Sequence, residues 1–215
     1  MPPRRLIAGF FARLVVLYVA LMVLWPALKA PYRAGYRAFG NICFSRIGSG
    51  ATARFEPWPI EEEIKDGQVV LENYTVPGAK IKILMPISTR YAGYMPTAVV
   101  ISLILATPLP WRRRWVALAF GLVLVHLFIL LWLGVSILDD LSDPIAGLPT
   151  HGYILAPAIK SVLKFLVENV VESVIACAYI APIFIWIAAA FRRRDREWLF
   201  QRIVPAQSES SNRPA

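Results

Sequence analysis

The chain has 215 residues, of which 57% are hydrophobic, with a formal net charge of +9 and a mean hydropathy of +0.55. This composition excludes an ordinary soluble domain and indicates an integral membrane protein. The basic balance does not indicate nucleic-acid binding, because the arginine clusters lie directly at the ends of apolar stretches. There they orient a membrane protein and meet anionic lipid, so lipid is the expected partner and nucleic acid is not.

Four apolar stretches are long enough to cross a hydrocarbon core of about 30 Å. Residues 6–28 are interrupted only by Arg13, and residues 91–111, 115–138 and 173–191 contain no Asp, Glu, Lys or Arg. With the N-terminus in the cytoplasm, the inner segments hold 12 basic and three acidic residues, whereas the outer segments hold 11 of each. The four apolar stretches therefore predict four transmembrane helices. The positive-inside rule predicts that both termini lie inside. The first stretch is too long for a signal-peptide core and is predicted to be retained.

The predicted fold class is mainly α: a four-transmembrane-helix bundle with a small antiparallel β-domain on the extracytoplasmic side. Composition divides the chain into six segments along its length. These are an N-terminal transmembrane helix (1–29), an outer region with the β-domain (30–90), a transmembrane helical hairpin (91–138), an outer loop (139–158), a long amphipathic-to-transmembrane helix (159–191) and a cytoplasmic basic tail (192–215).

The outer region begins with aromatic and basic residues at helical spacing over 29–50. This pattern favours either an amphipathic helix at the level of the lipid headgroups or a loop with scattered aromatics. Residues 51–58, 69–76 and 80–87 read as three strands, because β-branched or alternating apolar residues are separated by polar and Pro-Gly turns. Three short strands are marginal alone, so the sheet is expected to pack on the membrane surface, a helix or a partner.

Polar groups in the predicted spans are few. His126 lies in the middle of the third span, where an ionisable residue is a functional hypothesis, but a structural hydrogen bond from a neutral imidazole to a neighbouring helix is the favoured explanation. In the last helix, four charged residues recur every fourth position and form a stripe that we interpret as an interaction surface or a solvated face. They are Lys160, Lys164, Glu168 and Glu172.

A catalytic site can be drawn from Cys43, Arg90 and His151, all of which fall on the outer side of the predicted topology. A thiolate needs a base or cation to lower its pKa, and an arginine can hold an oxyanion. The set resembles exosortases and archaeosortases, membrane transpeptidases that use Cys, Arg and His at that face. The alternative is that Cys43 is a small apolar residue and His151 a loop residue.

Neither a cofactor nor a metal is expected. The two cysteines, Cys43 and Cys177, are too few for a zinc site, and whether they form a disulfide stays open. Asp139, Asp140 and Asp143 lack the ligand spacing of a calcium loop and are better explained as a solvated helix end.

Residues 90–97 (RYAGYMPT) and 106–114 (ATPLPWRRR) resemble small bacterial membrane proteins encoded beside exosortases, the exosortase-associated membrane proteins. The resemblance implies a bacterial inner membrane and an accessory role in sorting or processing exported proteins. It assigns no active-site residue. We therefore expect a non-enzymatic accessory or scaffold protein with a membrane-protein or exported-protein partner. The alternative is a thiol-dependent transpeptidase or protease of exosortase type that uses Cys43, Arg90 and His151.

Overall fold

The computed structural model describes residues 3–45, 51–59, 66–73, 81–142, 161–162, 164–165 and 176–191. In chain order they form α1 (Pro3–Phe44), the strands β1 (Ala51–Pro57), β2 (Gly67–Asn73) and β3 (Ile81–Ile87), a π-helical turn (Arg90–Tyr94), α2 (Met95–Ala106), α3 (Trp111–Ser142), a second π-helical turn (Ala176–Ile180) and α4 (Ala181–Ala190). The prediction of a mainly helical chain with a small three-stranded antiparallel sheet is confirmed.

Among the residues that the structure describes, two helices are long and apolar enough to cross a membrane, namely Ile7–Phe44 and Trp111–Asp140. At the other two predicted spans the described apolar helices cover Arg90–Ala106 and Cys177–Ala190. The first helix also continues well past residue 28 through Pro26 and Pro31 and ends at Phe44. The helical alternative for residues 29–44 is therefore the one observed.

In α2 a π-helical turn precedes Pro96, and in the described part of the last helix a π-helical turn precedes Pro182 in the same way. A proline ring inside a regular α-helix clashes with the carbonyl four residues earlier and cannot donate a hydrogen bond. A π turn is wider than an α turn, so it separates the ring from that carbonyl. The prolines thus explain why a π-helical turn stands directly before each of them.

The helices pack around α2, which contacts α1, α3 and α4 and has most of its residues buried. Phe10 near the start of α1 stacks on Trp186 near the end of α4, with ring centroids 5.9 Å apart. Arg113 at the start of α3 donates a hydrogen bond to the Ala190 carbonyl. The beginnings of α1 and α3 and the end of α4 therefore lie at one end of the molecule, which we call the basic end.

The sheet lies at the opposite end and has the order β1-β2-β3. Its register pairs Ala53 with Leu71 and Ile83, and Phe55 with Val69 and Met85, so these apolar side chains share one face. That face belongs to the same hydrophobic core as Val125, Ile129, Leu133 and Ile137 of α3. One continuous core therefore runs from the sheet into the helices.

Candidate functional site

The junction between the sheet and the helices is organised by a single buried carboxylate, Asp66. One carboxylate oxygen accepts the Thr89 backbone N–H at 2.7 Å, and the other accepts the Thr89 hydroxyl at 2.6 Å and the Arg33 Nε–H at 2.8 Å. Its own backbone N–H donates to the Ile87 carbonyl at 3.3 Å. Asp66 thereby ties the start of β2 to α1 and to the segment that leads into α2, and a buried charge with these partners is well compensated.

A second polar contact joins α1 to the edge strand β1. The Asn41 side-chain amide donates to the Phe55 carbonyl at 3.3 Å and accepts the Phe55 N–H at 2.7 Å. An edge strand otherwise presents unpaired backbone groups, so Asn41 occupies one position of that edge as a neighbouring strand would. The C-terminal part of α1 is consequently bound to the sheet at two points, Arg33 and Asn41.

Near Arg33 and Asn41, aromatic rings form a cluster, and two glycines leave the space that its rings occupy. Five rings follow one another at centroid distances of 4.6–6.4 Å, in the order Trp25, Tyr94, Tyr32, Tyr36 and Phe55. A Cβ on Gly40 would lie 2.8 Å from atoms of the Phe55 ring, and one on Gly93 would lie 2.7 Å from the Tyr32 hydroxyl oxygen. These positions allow the helix backbone to approach the rings closely.

Beside this cluster, an apolar groove of about 360 Å³ runs between the C-terminal part of α1 and α3. Its lining residues are Pro31, Tyr32, Gly35, Tyr36, Phe39, Gly40, His126, Ile129 and Leu133. His126 is exposed, and its Nδ1–H donates to the Leu122 carbonyl of its own helix at 2.7 Å. This hydrogen bond therefore lies within α3 and does not join His126 to a neighbouring helix.

A second, polar cavity of about 490 Å³ lies on the face of the sheet that points away from the hydrophobic core. Its lining residues are Asn41, Ser45, Thr52, Ala53, Arg54, Glu56, Val70, Glu72 and Lys82. Arg54 and Glu56 form an exposed ion pair there at 3.3 Å. Charges of both signs alternate across this surface. It can contact an extended polar segment, but its described residues do not form a catalytic set.

The basic end of the molecule carries contacts that sequence reasoning missed. Arg113 donates to the Ala190 carbonyl at 3.2 Å, and Arg114 donates to the Thr107 and Leu109 carbonyls at 3.4 and 3.3 Å. These carbonyls lie at or just beyond the C-terminal ends of α2 and α4, where cations are favourable. The arginines predicted to set orientation therefore also join three helices.

The proposed catalytic residues are only partly within the described chain. Cys43 is an exposed free thiol on the last turn of α1. The Arg90 guanidinium lies over the Tyr91 ring, 5.9 Å from its centroid, and its Nε is buried without a hydrogen-bond partner among the described residues. Within the same residues no hydrogen bond joins Cys43 to Arg90, and His151 lies outside them. The catalytic set stays a prediction.

The charged stripe of the last helix is also mostly outside the described residues. Lys164 is helical and exposed, and it is not without an interaction partner. Lys160, Glu168 and Glu172 are not described, so the stripe stays a prediction. Among the described residues, no group of three or more His, Cys, Asp or Glu side chains could hold a metal ion. Cys177 is buried and Cys43 is exposed, and no disulfide joins the two.

Sequence reasoning placed Asp66 in a polar turn and gave Asn41 no role. Their partners, Arg33, Thr89 and Phe55, are 14–33 residues away along the chain, so no local pattern marks them. Comparison with known proteins adds no family: no family model, no curated protein and no solved structure matches this chain.

Proposed function

We propose that this protein is a non-enzymatic integral membrane accessory or scaffold protein. It holds a small β-sheet at the extracytoplasmic surface of its membrane for a membrane-protein or exported-protein partner. The observation that carries the proposal is the continuous core from sheet to helices, together with the Asp66 and Asn41 contacts. A sheet fixed in this way can present a surface to a partner without any chemistry of its own.

Exposed apolar side chains support a membrane environment. Phe11 and Val16 of α1, Val123 of α3 and Phe184 of α4 are each more than half exposed. Apolar surface on this scale is a liability in water but is what lipid-facing helices require. We propose that all four apolar helices cross the membrane, with the basic end in the cytoplasm and the sheet outside.

The cellular setting is proposed from the resemblance of residues 90–114 to exosortase-associated proteins. It is the bacterial inner membrane, where this chain would assist the sorting or processing of exported proteins. The rival function is a thiol-dependent transpeptidase or protease using Cys43, Arg90 and His151, and it makes opposite predictions for substitution of those residues.

The proposed topology predicts opposite labelling of the two ends of the molecule. Lys82 on the sheet and Arg112 at the basic end are both exposed. In a background with Cys43→Ser and Cys177→Ser, we expect Lys82→Cys to react with an impermeant maleimide in intact cells. We expect Arg112→Cys to react only after the inner membrane is opened. The reverse pattern would show that the orientation is wrong.

Complementation of a deletion strain separates the two functions. Because an accessory protein does no covalent chemistry, Cys43→Ala and His151→Ala should each restore sorting of the exported protein to within about twofold of the parent level. A thiol enzyme would lose several orders of magnitude from either change, since nucleophile and base act as a unit. Immunoblotting provides the control for equal protein level. Loss of sorting at normal level would reject the accessory function.

A further inference from the structure

The groove between α1 and α3 lies at a defined level of the proposed span. His126 and Leu133 are 13 and 20 residues beyond Arg113 along α3, which is about 20 and 30 Å at 1.5 Å per residue. If Arg113 marks the inner edge of a hydrocarbon core about 30 Å thick, the α3 wall of the groove lies in the outer leaflet, directly below the headgroup level predicted for the α1 wall. Its occupant is therefore something embedded in the membrane.

The free hydrogen-bond acceptor of His126 indicates which class of molecule fits the groove. Because Nδ1–H donates to the Leu122 carbonyl, Nε2 of the neutral imidazole is a hydrogen-bond acceptor. No described residue donates to it, and the side chain is exposed. A polar acceptor left open to hydrocarbon costs free energy, so an occupant that brings a donor is favoured over one that does not.

The groove also has room for a second backbone to approach. A Cβ placed on Gly35 would meet no atom of the described residues within 4 Å, so the described chain leaves this wall of α1 open. Small residues at such a wall let another helix pack closely in a membrane. A lipid acyl chain would fill the same space but has no donor for Nε2, whereas a helix carrying a hydroxyl or amide both fills the groove and donates.

We propose that this groove binds a transmembrane helix of a partner membrane protein, which presents Ser, Thr, Asn or Gln toward His126 Nε2. The proposal rests on the proposed scaffold function and specifies its partner surface. Under this proposal α1 and α3 contact the partner helix within the outer leaflet, in addition to any contact that the sheet makes with the partner.

Photocrosslinking in native membranes tests the proposal on the full-length protein. Phe39 lines the groove and is 41% exposed, and Phe120 on α3 is 49% exposed but does not line it. Each would be replaced in turn by p-benzoylphenylalanine, a conservative change for phenylalanine. We expect Phe39 to give an adduct whose peptide, identified by mass spectrometry, is a transmembrane segment of another protein. We expect Phe120 not to give that adduct.

Two substitutions connect the adduct to the groove. Gly35→Leu fills the open wall and should abolish the Phe39 adduct, whereas Gly9→Leu on the same helix, which also has open space, should leave it unchanged. His126→Leu removes the acceptor and should reduce the adduct about three- to tenfold, as expected for one interhelical hydrogen bond. Membrane levels of every variant are measured alongside.

Three results would overturn the proposal: an adduct with lipid alone, an adduct with a second copy of this chain, or an adduct that Gly35→Leu does not reduce. Failure here is distinguishable from failure of the scaffold function. If Cys43→Ala abolishes sorting while the Phe39 adduct persists, the scaffold function is wrong and the groove still binds a helix. If sorting survives and the adduct is absent, only the groove proposal is wrong.

Discussion

Replacing Asp66 by alanine should lower the free energy of unfolding by about 3 kcal/mol and release the sheet from the helices. Asp66 has a side chain only 3% exposed, and Arg33, its ion-pair partner, is 17% exposed. Removing one partner of a buried pair leaves the other charge uncompensated, which costs about 3–5 kcal/mol when burial is complete. The partial exposure of Arg33 places the expectation at the lower end of that range.

The measurement is denaturant unfolding in detergent, combined with hydrogen exchange of the β2 backbone amides. Exchange in β2 should accelerate, because the strand loses its connection to α1 and Thr89. The matched control is Glu56→Ala, which removes an exposed ion pair with Arg54 on the same sheet and should cost less than about 1 kcal/mol. Equal effects of the two substitutions would contradict a structural role for Asp66.

Replacing Gly40 by valine should cost about 2–3 kcal/mol, because a Cβ at this position would lie 2.8 Å from atoms of the Phe55 ring. The ring is 5% exposed and belongs to the core that joins sheet and helices. It therefore cannot move aside without disturbing that core. We expect α1 to stay helical while the sheet separates from it.

Gly35→Val is the control for this change, since it lies five residues earlier in α1 and its Cβ would meet no atom within 4 Å. Both substitutions alter helix propensity equally, so their difference isolates the contact with Phe55. Thermal unfolding and exchange of the β1 amides provide the comparison. If Gly40→Val and Gly35→Val unfold alike, the close approach of α1 to the sheet is wrong.

Local patterns predicted much of the secondary structure. The β-branched and alternating residues gave β1, β2 and β3 to within a few residues, because a strand with one buried face must alternate. The aromatic spacing beyond residue 28 left helix and loop equally open. The observed helix to Phe44 follows from its packing on the sheet through Asn41 and Phe55, which no local pattern records.

By itself, the sequence determined that this chain has long apolar segments and an asymmetric distribution of charge, because hydropathy and charge depend only on residue type and order. The packing around α2, the buried Asp66 with its partner Arg33, and the groove beside His126 were decided only in the tertiary structure. The physical reason is that a hydrogen bond or a close contact needs two groups at a specific distance. When those groups are tens of residues apart, the way the helices and sheet pack sets that distance.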